Sequence, residues 1–170
     1  MRRLLMILLL ACAISPVDAQ KVRVDFDHTC DFSRYQTYAW ALSPKVDFLN
    51  QLMQSRLIGF IEEALAAKRL RRVETGGDLL VNFQMNVRQE KIYTTLTNGF
   101  GWDWGWGSEI ATTAEQVITL GTLTVDVVDS HGNRLVFEGV STAPISSKPA
   151  HNTKRLAKAV SEIFEKYPPK

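Results

Sequence analysis

Apolar and polar side chains alternate along some stretches of this chain and recur every three or four residues along others, and the two periods outline its elements. Lys21 to His28 sets Val22, Val24 and Phe26 on one side and Arg23, Asp25 and Asp27 on the other, the pattern of a half-buried strand. Thr37 to Ala41 predicts a short second strand, ended by Ser43-Pro44. From about Asp47 to Arg69 the period lengthens: Leu49, Met53, Leu57, Phe60, Ile61, Ala64 and Leu65 form one apolar stripe of a helix. Asp47 suits its first turn, where unpaired N–H groups attract a carboxylate, and Lys68, Arg69, Arg71 and Arg72 suit the opposite end.

After Thr75-Gly76-Gly77 the alternation returns. Asp78 to Thr95 reads as a long strand with Leu79, Val81, Phe83, Met85 and Val87 facing a core. Residues 110–119 are compatible with another strand, and Gly121 to Ser141 predicts a hairpin turning at Ser130-His131-Gly132-Asn133, where Gly132 and Asn133 tolerate positive φ. His151 to Tyr167 carries Leu156, Ala159, Val160, Ile163, Phe164 and Tyr167 on one helical stripe, stopped by Pro168-Pro169. Each helix has a single face to hide. The expected fold is therefore α+β: an antiparallel sheet with both amphipathic helices packed on one face, in a single domain over residues 20–170.

The first nineteen residues read differently. Arg2 and Arg3 precede an apolar run from Leu4 to Ile14, and Ser15 to Ala19 ends in small residues, the layout of a bacterial-type secretory signal cut between Ala19 and Gln20. The run is too short to span a hydrocarbon layer of about 30 Å, so the expected mature form has no transmembrane span. A second processing route uses Leu9-Leu10-Ala11-Cys12, which resembles a lipobox with Cys12 as the acylated residue. Either route exports the protein, to the periplasm or to an association with the outer membrane.

Charge and cysteines narrow the partners. The chain holds 20 basic and 18 acidic residues; removing Arg2, Arg3 and Asp18 with the leader leaves 18 and 17, a balance that does not gather nucleic acid. Only Cys30 then remains, so no intramolecular disulfide can form and a packed thiol is expected. The remaining 151 residues are enough to bury roughly 68 to 70% of the unfolded surface without a staple.

Two groups of residues invite a functional reading. Residues 98–108 interleave Gly99, Gly101, Gly105 and Gly107 with Phe100, Trp102, Trp104 and Trp106. Large flat rings on a pliable backbone suit stacking on sugars, seating at a lipid headgroup layer or anchoring a protein, although the same rings could simply cover an open sheet edge. The tryptophans would also block the close backbone approach that a phosphate-binding glycine loop needs. On the hairpin, Asp126, Asp129 and Glu138 lie near His131; a hydrolase would pair Asp126 with Glu138 as acid and base, but like charges directly opposite each other repel. His28 and Cys30 have no second pair of ligands at metal-site spacing, and no cofactor motif is present.

The order of several segments carries a resemblance. Asp31-Phe32-Ser33 with Tyr35 to Trp40, then a helix running into Gly77-Asp78-Leu79-Leu80-Val81, then the Gly/Trp segment and Gly121 to Asp129, resembles the bacterial envelope family DUF4136, a domain of unknown function. The resemblance implies an exported protein, often a lipoprotein, with one α+β domain and no established activity, cofactor or catalytic residue. Two places depart from the family pattern: Lys68-Arg69-Leu70, where a glycine and an aromatic are usual after the first helix, and Phe137-Glu138-Gly139, where a tryptophan and a basic residue are usual. The sequence thus points to a non-enzymatic envelope domain engaging a protein, glycan or membrane surface through Phe100, Trp102, Trp104 and Trp106. The alternative is an envelope hydrolase built on Asp126, Asp129 and Glu138.

Overall fold

A computed structural model describes residues 20–41, 50–97 and 111–169; residues 1–19, 42–49, 98–110, which include the Gly/Trp segment, and 170 lie outside the described residues. The strands are β1 (Lys21–Phe26), β2 (Thr37–Trp40), β3 (Arg71–Arg72), β4 (Leu79–Thr97), β5 (Ala111–Asp129) and β6 (Arg134–Pro144), and the helices are α1 (Gln51–Ala67) and α2 (Pro149–Glu165). They form one six-stranded sheet in the order β1-β6-β5-β4-β2-β3. Among the described residues no helix is long and apolar enough to cross a membrane.

The sheet is mixed, which corrects the expectation of a purely antiparallel one. β1, β6, β5 and β4 are antiparallel neighbours, but β2 runs parallel to both β4 and β3. The cause is α1: a strand joined to its neighbour through a crossover helix returns in the same direction, whereas tight turns reverse it. Two features dock β2 on β4. Asp78 accepts from the Gln36 and Thr37 N–H groups at 3.0 and 2.9 Å, and a Cβ on Gly77 would stand 2.6 Å from the Ala39 nitrogen.

The elements differ from the sequence expectation mainly at their ends. Asn50 caps α1 by accepting from the Met53 N–H at 2.9 Å, while Asp47 falls outside the described residues. At the other end Leu70 N–H reaches Leu65 O and Arg69 N–H reaches Ala66 O, a Schellman closure with Arg69 at φ +66° where glycine is usual. Arg71 and Arg72 are thus an edge strand and not a helix end, and Arg72 pairs with Glu62 at 2.7 Å. Residues 111–129, read above as two strands, form one. The β5–β6 turn lies where expected, with Asn133 at φ +46° and a bulge between Val127 and Val128.

Both helices pack on one face. Leu57, Ile61 and Leu65 of α1 and Ala159, Val160, Ile163 and Phe164 of α2 meet Leu79, Val81, Phe83, Leu123, Val125, Val127 and Phe137, all buried in one cluster. A Cβ on Gly139 would stand 2.2 Å from Ile163 Cγ2, so the glycine sets how closely α2 approaches β6. This cover ends before the strands do. β5 parts from β6 beyond Leu120, opposite Pro144, yet β4 and β5 remain paired from Arg88↔Leu120 to Thr97↔Ala111. At about 3.3 Å per residue the two strands project roughly 30 Å as a two-stranded ribbon.

Candidate functional site

The hairpin carboxylates separate onto the two faces of the sheet. Asp126 stands directly opposite Glu138, which stands opposite Asp25 on β1, so three carboxylates cross the helix-free face in one row. Burial, and then the neighbouring Glu138, raises the Asp126 carboxyl above its ordinary range. The register is the one in which like charges face each other, and Asp25 is exposed while Asp126 and Glu138 are half-buried.

Asp129 lies on the helix side, away from that row, with its side chain 5% exposed. Its carboxylate accepts from the Tyr35 hydroxyl at 2.9 Å, from the His131 N–H at 2.9 Å, from the Gly132 N–H and from Arg34. Burial alone would raise this carboxyl, but the hydrogen bonds and the Arg34 charge bring it down to about 2. The Cys30 thiol, half-buried, sits 3.2 Å from the Tyr35 hydroxyl, so Cys30, Arg34, Tyr35 and Asp129 bind the segment before β2 to the root of the β5–β6 turn. Asp129 therefore joins the turn and not the Asp126–Glu138 pair. His131 is exposed at the turn, and the His28 ring lies 4.3 Å from that of Phe26.

Phe100, Trp102, Trp104 and Trp106 lie outside the described residues, as do Ala19 and Cys12. Gln20 is described: its amide donates to Ser141 Oγ at 3.3 Å and to Glu162 at 3.4 Å, which ties the start of the described chain to β6 and α2.

One concave feature escaped the sequence reading. Where the helices begin and the ribbon leaves the body, Met53, Met85, Val87, Leu123, Leu156 and Ala159 line an open apolar cavity of about 220 Å³. Asn152 and Arg155 stand on its α2 side, and Arg155 donates to the Pro144 carbonyl at 2.7 Å. Its residues come from both helices and three strands, so no local spacing signals it. The only trace in the sequence is that Gly121, Ala143 and Ala159, all small, occupy positions where larger residues would close the gap.

The family follows from a match along nearly the whole chain. The model of DUF4136, a domain of unknown function, matches residues 22–169. The chain belongs to the DUF4136 family. No curated protein matches it in sequence. The DUF4136 fold is also similar to that of a PDZ domain protein from Parabacteroides distasonis, with 15% identity and a TM-score of 0.59 over 89% of this chain. The match spans 36% of that protein's own chain, so the likeness is one of fold to about a third of it. A second similar structure is the PelC dodecamer from Paraburkholderia phytofirmans, with 11% identity and a TM-score of 0.45, covering 85% of this chain and 97% of that one.

Proposed function

We propose that this protein is a non-enzymatic domain of the bacterial envelope, exported by its leader, that engages an envelope protein, glycan or membrane surface through the Gly/Trp segment. The observation that carries the reading is the ribbon. β4 and β5 stay paired as far as Thr97 and Ala111, the residues flanking that segment, and a two-stranded ribbon in water has little stability to spare. Its exposed side chains include Ile92, Tyr93 and Val117. A long projection whose two strands are joined in sequence by a segment rich in aromatic residues suits a reach toward another surface, since burial of indole rings supplies affinity and a polar handle together.

The test replaces Trp102, Trp104 and Trp106 together with alanine and compares parent and variant in fractionated cells. The parent should co-purify with one envelope component, or partition with membranes, and the variant should lose that association while keeping its circular dichroism spectrum. An unchanged association in the folded variant overturns the reading. The mass of the mature protein, beginning at Gln20 or at acylated Cys12, tells which processing route delivers it.

A further inference from the structure

β1 ends the sheet on one side, and its residues alternate in what they face. In an antiparallel pair every second residue turns both its N–H and its C=O toward the neighbouring strand. Asp27 N–H reaches Val136 O at 3.0 Å, so Lys21, Arg23 and Asp25, in phase with it, face β6. Val22, Val24 and Phe26 turn theirs to the open edge, where the Phe26 N–H donates to Asp25 Oδ1 at 2.9 Å.

An open edge invites another strand, and charges usually keep strands away. Here the charges are in a self-complementary order, basic at Lys21 and Arg23 and acidic at Asp25 and Asp27. A second β1 laid antiparallel must pair outward-facing residues with outward-facing residues, so its possible registers lie two residues apart. The register centred on Val24 sets Val22 opposite Phe26, Arg23 opposite Asp25 and Lys21 opposite Asp27. A shift of two residues either way sets Arg23 opposite Arg23 or Asp25 opposite Asp25, and like charges in that position repel. One register is therefore favoured over its neighbours.

Both faces of the strand suit this pairing. On the helix side Val22, Val24 and Phe26 are half-buried, and an open groove of about 400 Å³ beside them is lined by Val24, Phe26, Glu165, Lys166, Pro168 and Pro169. On the other face Asp25 ends the row of carboxylates that begins at Asp126, and the register brings Arg23 of a second copy to that end. Among the described residues neither Lys21 nor Arg23 forms an ion pair. Asp27 already meets Arg134 at 3.1 Å and accepts from Thr29, so the Arg23–Asp25 pair carries most of the selectivity.

We infer that the β1 edge docks a second copy of this chain, giving a two-fold dimer in which the two sheets run on as one. The axis is perpendicular to the sheet, so both pairs of helices lie on the same side. β1 has six residues and spans about 20 Å, a contact at the small end of specific interfaces, so the dissociation constant should be micromolar. Dimerisation through this edge is independent of the Gly/Trp segment.

The experiment is sedimentation equilibrium of the purified protein from about 1 to about 500 μM. The parent should fit a monomer–dimer equilibrium that weakens in about 1 M salt, where charges are screened within about 3 Å. Arg23→Asp and Asp25→Arg should each weaken dimerisation about tenfold or more, and mixing the two variants should restore it, because each introduced charge then meets its opposite. Val24→Pro removes an N–H that β6 does not use, so it should keep the fold and lose the dimer. A parent that stays monomeric would leave the edge to a strand of another protein and overturn the inference. A dimer that tolerates Val24→Pro, or charge variants that do not recover on mixing, would overturn it too. The mixed charge variants read the register even if Val24→Pro fails to fold.

Discussion

β4 and β5 contain two regions with the same pairing and opposite surroundings. Between Leu79 and Phe83, and between Leu123 and Asp129, burial alternates: one face meets both helices, and Leu79, Val81, Phe83, Leu123, Val125 and Val127 are buried, while Leu80 and Val128 stand opposite each other on the other face. From Arg88 to Tyr93, and from Ala114 to Val117, the ladder continues but every residue is exposed. The sequence changes accordingly. Apolar residues are now scattered, Ile92 on one face and Tyr93 and Val117 on the other, all exposed among Arg88, Glu90, Lys91 and Glu115. Backbone pairing is thus not what distinguishes a strand of the body from a strand of the ribbon. Burial of one face does, and the charges along the ribbon guard its edges against unwanted pairing.

The sharpest test compares two aromatics on the same face of the same strand. Phe83 is 2% exposed and packs edge-on to Trp40 at 6.0 Å, so Phe83→Ala should destabilise the protein by about 3–5 kcal/mol in denaturant unfolding. A loss below about 1 kcal/mol would mean that the body is no better packed than the ribbon. The ion pairs of the two regions differ in the same way. Asp129 is held by Arg34 and three hydrogen bonds in the buried root, whereas Lys91 and Glu115 meet at 2.7 Å with both side chains exposed. Because the folded Asp129 carboxyl titrates near 2, below its ordinary value, its contribution is complete above about pH 4 and is lost as the pH falls toward 2. Unfolding free energy should fall by about 2 kcal/mol more over that window in the parent than in Asp129→Asn. An identical acid slope in the two proteins would show that the carboxylate is not stabilised in the folded state. The smallest effect belongs to the ribbon: Tyr93→Ala, at a residue 61% exposed, should change unfolding free energy by less than about 0.5 kcal/mol. A larger loss would reveal packing on the ribbon.

What the sequence made legible follows the range over which each signal acts. The amphipathic stripe of α2, the alternation of β4 and the turn at Ser130 to Asn133 are local, since periodicity and turn chemistry act within a few residues. The start of α1 was legible only in kind: Asp47 and Asn50 are both plausible near a first turn, and Asn50 makes the capping bond. Arg71 and Arg72 misled because cations after a helix suit its dipole equally well whether or not the chain turns at once into a strand. The opposition of Asp126 and Glu138 could be written down as one register, but a hairpin register is fixed by its turn and bulge as much as by its pattern.

By itself the chain determined its elements, the side each one buries and its family, because these rest on spacing along a few turns or a short strand. Only the tertiary structure decided that β2 lies parallel to β4, that Asp129 turns inward to Tyr35 and Arg34 while Asp126 stays on the open face, and that small residues from distant elements leave an apolar cavity beside the cations of α2. The physical reason is that direction, register and voids arise from how separate elements meet, and side-chain period carries no information about the element on the other side.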